Sequence, residues 1–180
     1  GMTVDGPGIQ PGTVISAIRP DLFLVELSKP ATADAFSESF VFSSPANFVQ
    51  TGIGTTALAG VNSYTGATFV TGGVLRLDSA GAVPGGIGAT GGTSHLVIDG
   101  GVVGLGAGDF ARSLGTGVDQ VEFRSSGGFA AYGSDRLINL GGANDQIVWG
   151  RDSFVPISSS LIFGAYDSTH TAPLPNPVDL

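Results

Sequence analysis

The chain has 180 residues, a net charge of −8 and 30 glycines, and 42% of its residues are hydrophobic. The apolar content is too high for a disordered chain, and the excess of acidic residues leaves no cationic face for nucleic acid or for an anionic membrane. No cysteine is present, which excludes disulfides, thiolate catalysis and zinc–sulfur sites, and no apolar run approaches the roughly 20 residues of a membrane-spanning helix.

Short apolar runs rich in β-branched and aromatic residues follow one another along the chain, separated by glycines and small polar residues. Such runs predict β-strands. In chain order they are residues 13–15, 22–27, 40–42, 67–70, 74–77, 95–98, 102–105, 118–123, 137–140, 146–149 and 161–163. Helical periodicity is nearly absent, and only residues 31–38 and 109–114 are candidates for a helical turn, the second capped by Asp109. The sequence therefore predicts an all-β chain.

One segment repeats within the sequence. Residues 72–77 (GGVLRL) recur as residues 100–105 (GGVVGL), 28 residues later. In both copies a strand meets a glycine pair and a second strand follows, as required where a coil of chain turns a corner, because glycine adopts a positive φ without a Cβ clash. Residues 74–78 alternate between two faces, with valine, arginine and aspartate on one and two leucines on the other. Two architectures fit: a solenoid of stacked coils, or a sandwich of unrelated hairpins.

A second pattern lies just upstream of the glycine pair. Asn62-Ser63-Tyr64-Thr65-Gly66 is followed by a β-branched strand, a glycine turn and a Leu-x-Leu strand ending at Leu77. These residues resemble the autotransporter-associated β-strand repeat, the passenger-type repeat of bacterial surface proteins, with Leu58-Ala59-Gly60 in place of the usual Leu-Ser-Gly. Further stretches are similar to long relatives of these proteins, namely residues 109–117, 127–133, 139–143, 149–150 and 176–180.

The resemblance implies a right-handed single-stranded parallel β-helix, a pectin-lyase-like solenoid, with a β-sandwich as the alternative. It further implies a non-catalytic structural stalk in a secreted or surface-exposed bacterial protein. Residues 58–180 would form this β-helix as a fragment of a longer array, and residues 46–57 would be a linker. Residues 1–45 resemble a strand-turn-strand module of phage and large bacterial surface proteins, and could cover an open end of the solenoid.

The sequence gives little support to an enzyme. Polysaccharide-degrading β-helices need paired carboxylates on one face, or a calcium-binding carboxylate cluster with an arginine base. Here the aspartates stand apart beside turn residues, where hydrogen bonding to turn backbone is the expected role; they are Asp78, Asp99, Asp109, Asp119 and Asp135. Arg76 and Arg124 have no catalytic context, and for Arg112 and Arg136 we expect salt bridges or contacts to backbone carbonyls. We therefore predict no catalytic residue.

No metal or cofactor site is predicted either. His95 and His170 lie too far apart in sequence to suggest a ligand pair. Residues 141–147 resemble the calcium-binding nonapeptide of repeats-in-toxin proteins, but the fourth glycine is missing, Asp145 comes one residue early, and the motif occurs once. Asn139 is expected to be buried, with its amide bonded to the backbone at a bend.

The main rival hypothesis is an adhesin or carbohydrate-binding module that uses exposed aromatic side chains. The candidates are Phe123, Phe129, Tyr132, Trp149, Phe154 and Phe163, although we favour core packing for them. The expected partners are a cell-surface glycan or a host or neighbouring-cell surface, with no nucleic acid and no membrane insertion, and self-association could occur through open solenoid ends. A polysaccharide-active enzyme is the least favoured hypothesis.

Overall fold

The computed structural model describes residues 2–19, 24–33, 41–43, 46–88, 92–141 and 143–180. The chain divides into two compact units, Gly1–Pro45 and Ala46–Leu180. Every regular element among the described residues is a β-strand, which confirms the prediction of an all-β chain. Within those residues no helix is long and apolar enough to cross a membrane.

The first unit is an antiparallel sheet. Its strands are β1 (Thr3–Asp5), β2 (Thr13–Arg19), β3 (Leu24–Leu27) and β4 (Val41–Ser43), in the order β3-β2-β1-β4. The register shifts between Ile15 and Ala17, where β2 pairs with β3. The turn before β2 contains Gly12 at a φ of +70° and ends with the Thr13 hydroxyl bonded to the Gln10 carbonyl at 2.7 Å.

The described residues of the second unit form eleven strands. They are β5 (Phe48–Gln50), β6 (Thr55–Leu58), β7 (Thr68–Val70), β8 (Val74–Leu77), β9 (Leu96–Ile98), β10 (Val102–Leu105), β11 (Val121–Phe123), β12 (Gly127–Ala131), β13 (Ile147–Val148), β14 (Leu161–Phe163) and β15 (Val178–Asp179). Strands β6, β8, β10, β12 and β14 form one sheet in that order, and β5, β7, β9 and β11 form another. All the ladders between these strands are parallel, as is the pairing of β13 with β15.

The chain alternates between the four-stranded and the five-stranded sheet of the second unit, so that each new pair of strands lies beside the previous pair. We call each such pair, one strand of this four-stranded sheet and the next strand of the five-stranded sheet, a rung. Val102 pairs with Val74 and Leu96 with Thr68, each 28 residues earlier, which confirms the register predicted from the internal repeat. Parallel sheets visited alternately are consistent with a β-helix-like fold.

Glycine pairs form the corner between the two strands of a rung. Gly73 has a φ of +59° and Gly100 a φ of +111°, conformations that side chains rarely adopt. At Gly101 a Cβ would lie 2.7 Å from the Val70 side chain and 3.0 Å from the amide nitrogen of Gly72 in the previous rung. The predicted role of the repeated glycine pairs is therefore confirmed.

The core lies between the sheets. Leu75 and Leu77 are fully buried in it, while Arg76 and Asp78 lie on the outer face and are only partly buried. Aromatic rings occupy its centre, with the Phe110 and Phe129 ring centroids 4.9 Å apart. A smaller apolar cluster covers the outer face of the five-stranded sheet, where Val74, Val102, Ala130 and Tyr132 pack with Ile162 and Ala165.

Two local expectations differ from the structure. Residues 46–57, expected to be a linker, contain β5 and β6, which form the first rung because their residues pair in parallel with β7 and β8. Residues 109–114 form no helical turn, since Phe110 instead makes an isolated parallel bridge to Ile138. The other helical candidate, residues 31–38, lies largely outside the described residues.

Candidate functional site

The Asn62–Gly66 motif forms a hydrogen-bonded corner. The Tyr64 hydroxyl bonds with the Thr68 hydroxyl at 2.6 Å, which bonds in turn with the Ser94 hydroxyl at 2.9 Å. Ser94 then donates to the Gly66 carbonyl at 2.8 Å, which closes the network between neighbouring rungs. Asn62 donates its side-chain amide to the Ala82 carbonyl at 2.8 Å. The motif residues therefore align successive passes of the chain.

Other Asn and Asp side chains also join successive passes. Asp109 accepts the Leu137 amide at 2.9 Å, and Asp135 accepts the Thr171 amide at 2.9 Å. This bond to Thr171 lowers the pKa of Asp135. These aspartates bond backbone, as expected, but the amides belong to the next pass of the chain rather than to a local turn.

The buried asparagine at a bend is Asn176. It is 4% exposed, accepts the Leu140 amide at 2.9 Å, and donates to the Leu140 and Asp145 carbonyls at 2.7 and 2.9 Å. Asn139, for which this role was predicted, is only half-buried, and its side-chain oxygen accepts the Asn144 amide at 3.2 Å. Asn176 is not predicted from the sequence, because it precedes a proline near the end of the chain and no strand pattern marks it.

Arg112 is a fully buried cation held by backbone carbonyls. Its guanidinium donates to Ser94 at 2.6 Å, to Pro84 at 3.5 Å, and to Gly86 from both Nε and an Nη. Burial lowers its pKa, while the charge of Asp119 acts in the opposite direction. Arg136 similarly donates to the Gly106 carbonyl at 2.5 Å. The predicted contacts of both arginines to backbone carbonyls are confirmed.

His95 lies in a small cluster on the four-stranded sheet. Its Nε2 is 3.2 Å from the Gly115 carbonyl and 3.6 Å from a Glu122 oxygen, and Glu122 pairs with Arg124 at 3.0 Å. Burial lowers the pKa of His95, and the Glu122 carboxylate and the Gly115 carbonyl only partly oppose that effect. The cluster is a structural contact between rungs, with the neutral imidazole favoured by its surroundings.

The depressed pKa of His95 predicts a pH dependence of stability. The unfolded chain, with an ordinary histidine pKa of about 6.5, binds a proton more readily than the folded chain, so stability is complete above that pH and falls as the pH drops below it. We expect His95→Gln to reduce the loss of the urea midpoint between neutral and mildly acidic pH. The exposed His170→Gln is the control, and an equal loss in both variants would contradict the prediction.

The aromatic candidates are divided between the core and the surface. Phe123, Phe129 and Phe154 are at most 3% exposed, which confirms core packing for them. Trp149 is half-buried and contacts Phe154 edge-to-face at 5.6 Å. Phe163 is 49% exposed and carries no such packing role. The structure thus buries four of the six rings, three in the core and Tyr132, which is 8% exposed, in the smaller cluster on the outer face of the five-stranded sheet.

One open recess gathers charged and aromatic groups. It has a volume of about 280 Å³ and is lined by Arg76, Asp78, Gly106, Tyr132 and Gly133. Arg76 donates to Asp78 through two nitrogens, with contacts of 2.6 to 2.9 Å, and its guanidinium carbon lies 5.3 Å from the centre of the Tyr132 ring. This arrangement lies on the outer face of the five-stranded sheet.

A further carboxylate supports the recess from one side. The Tyr132 hydroxyl donates to Asp167 at 2.5 Å, and the Thr55 hydroxyl donates to the other oxygen of Asp167 at 3.4 Å. Burial, followed by the bond to Asp167, raises the pKa of Tyr132, so the phenol keeps its proton. Asp78 is therefore not isolated as expected, and the alternation of residues 74–78 already places Arg76 and Asp78 on the same strand face.

The described residues provide no group of three or more His, Asp or Glu side chains placed to hold a metal ion. Within the calcium-like motif, Gly142 lies outside the described part of the chain, and Asp145 is exposed. The remaining aspartates considered in sequence analysis are Asp99, half-buried after β9, and Asp119, exposed near Arg112.

Comparison with known families gives a match over the first two rungs. Residues 48–77 match the passenger-associated-transport-repeat. This confirms the resemblance to an autotransporter passenger repeat that the Asn62–Gly66 motif indicated. No curated protein and no solved structure was found to match the chain.

The passenger-associated-transport-repeat extends from β5 to the end of β8. Its residues supply both strands of the first two rungs, the Tyr64–Thr68 hydrogen bond and the Gly72–Gly73 corner. Arg76 of the recess also lies within the repeat, whereas Asp78 follows its last residue. The matched segment therefore contains one junction between neighbouring rungs, and the recess is completed by residues outside it.

Proposed function

We propose that the chain is a non-catalytic structural stalk segment of a secreted or surface-exposed bacterial autotransporter-like protein. Its second unit would be a right-handed single-stranded parallel β-helix. The observation that carries the proposal is the parallel stacking of successive rungs, with side chains that bond from one pass of the chain to the next. The passenger-associated-transport-repeat at residues 48–77 supports the assignment to a passenger segment.

The mechanism of a stalk is mechanical. In the interior strands the backbone amides and carbonyls form hydrogen bonds with a neighbouring strand on each side. The central column of leucine and phenylalanine side chains excludes water. Adjacent rungs are spaced by about 4.8 Å, the separation of hydrogen-bonded strands. Extension by further rungs would then lengthen the segment without altering its cross-section. The negative net charge would keep such a surface soluble.

The parallel ladders favour the β-helix over the β-sandwich, the alternative architecture. β-Sandwiches are built from antiparallel sheets, whereas the strands of the second unit pair in parallel. Parallel strands joined within one sheet by a crossover are right-handed in about 98% of cases. An experimental structure of the full chain tests this part of the proposal: right-handed coils are expected, and a left-handed coil or an antiparallel sandwich would contradict it.

Absence of catalysis is tested by turnover. The full chain, incubated with neutral and acidic polysaccharides, is expected to release no new reducing ends and no unsaturated products. Release that is abolished by Asp78→Asn or Asp167→Asn would overturn the non-catalytic assignment, because those carboxylates flank the recess. Release that survives both substitutions would equally overturn it and place the chemistry elsewhere.

An adhesin or glycan-binding role is the second candidate, and the observation that favours it is the recess, which contains Tyr132 but none of the other aromatic candidates. A host or neighbouring-cell surface and self-association through open strand edges are further proposals. Partners of nucleic acid or anionic membrane type are disfavoured by the charge of −8.

A further inference from the structure

We propose that the recess lined by Arg76, Asp78, Gly106, Tyr132 and Gly133 binds one neutral pyranose unit of a glycan. The site goes beyond a stalk, because a purely mechanical segment needs no ligand. It would give one outer face of the second unit a defined place for a sugar.

The stacking of the rungs creates the space. Leu77, Leu105 and Ala131 are paired across β8, β10 and β12, so the residues that follow them, Asp78, Gly106 and Tyr132, lie in one row. The middle member of the row has no side chain, so its backbone lines the recess and the Asp78 carboxylate extends over it. A Cβ at Gly133 would meet nothing within 4 Å, so the rim of the recess is open as well.

The polar groups match adjacent sugar hydroxyls. Each hydroxyl both donates and accepts a hydrogen bond, and the recess places a guanidinium donor directly beside a carboxylate acceptor. The Arg76 and Asp78 side chains remain 34% and 25% exposed, so both can still be reached. The paired side chains leave unused guanidinium N–H groups and carboxylate lone pairs for a ligand.

Charge balance favours a neutral ligand. Arg76 and Asp78 neutralise each other, and the charge of Asp167 is matched by that of Arg136, whose guanidinium donates to the Gly106 carbonyl. No net charge then remains to attract an acidic sugar, and the Arg76 guanidinium disfavours a metal ion. A neutral ring with adjacent hydroxyls satisfies both the donor and the acceptor without an added charge.

The site is also held in place before a ligand arrives. The guanidinium of Arg76 lies against the Tyr132 ring, and Tyr132 is anchored by its bond to Asp167. Because these side chains are already ordered, a small ligand does not have to immobilise them on binding. With one monosaccharide as ligand, the expected affinity is on the order of millimolar.

The test is an NMR titration of the isotopically labelled full chain with methyl α-mannopyranoside, methyl β-glucopyranoside and methyl β-galactopyranoside. We expect at least one of these probes to shift the amide signals of Gly106 and Gly133 in a saturable manner. Asp78→Asn is expected to weaken binding roughly tenfold or more, since it removes a charged acceptor. Glu122→Gln is the matched control, because it alters a similar arginine–carboxylate pair on the other sheet.

A second variant tests the site independently in case Asp78→Asn fails to fold. Gly133→Asn places a side chain in the open rim, and asparagine tolerates the φ of +74° at this position. It should abolish binding while the rest of the spectrum is retained. The absence of saturable shifts with all three probes would overturn the proposal, as would binding unaffected by both variants or tighter binding of methyl galacturonate. None of these outcomes tests the stalk proposal, which is tested by the handedness of the coils and by the turnover of polysaccharides.

Discussion

Replacing Arg112 with alanine is expected to lower the free energy of unfolding of the second unit by about 3–5 kcal/mol, because each buried carbonyl that loses its donor costs about 1–3 kcal/mol. The carbonyls concerned are those of Gly86 and Ser94, since the Pro84 carbonyl also accepts the Thr93 amide at 3.0 Å. The loss should be read from urea unfolding followed by the fluorescence of Trp149, the one tryptophan of the chain, which packs against the core of this unit.

Two further variants separate the roles of the Arg112 charge and its shape. Arg112→Lys keeps a cation but cannot reach the Gly86 and Ser94 carbonyls with a planar fork, so it should recover only part of the stability. The exposed Arg151→Ala removes a cation without unpairing these carbonyls, and its effect should stay within about 0.5 kcal/mol. If Arg112→Ala were as mild as Arg151→Ala, the carbonyl contacts would contribute little to folding.

Local sequence patterns predicted much of this fold because the same corner glycines and alternating strands recur in neighbouring rungs. The glycine pairs at 72–73 and 100–101 gave the 28-residue register, since corners must stack for the strands between them to pair. The alternation in residues 74–78 distinguished the core leucines from the outer polar residues. The Asn62–Gly66 motif indicated a passenger repeat, which the match at residues 48–77 confirms.

The recess could not be read in the same way. Its residues come from separate rungs. The sequence separation between Arg76 and Tyr132 is set by the lengths of the intervening loops, which differ from one rung to the next. The spacing between paired strands is 28 residues from β8 to β10, but it is 26 from Val102 to Gly128 and 34 from Gly128 to Ile162. With no constant period, side chains on successive rungs cannot be aligned from the sequence.

Substituting Gly128 with alanine is expected to cost about 3 kcal/mol, the upper end of the usual range for an overpacked site. Gly128 pairs with Ile162 across β12 and β14. A Cβ at this position would overlap the Ile162 carbonyl oxygen and would lie 2.7 Å from the carbonyl carbon and 2.8 Å from the amide nitrogen. These are backbone atoms, which no rotamer change can move, so the two strands must separate.

The separation should be local before it is global. Gly127 donates to the Ser160 carbonyl and Gly164 to the Phe129 carbonyl, and both amides should lose hydrogen-exchange protection in Gly128→Ala. Gly88→Ala is the matched control, because a Cβ there meets nothing within 4 Å and the change should be nearly neutral. Unchanged protection of Gly127 and Gly164 would mean that β12 and β14 are not in the register described. Loss of protection confined to these amides would show that the last strand of the sheet is held to the others by close backbone approach, which only glycine at position 128 permits.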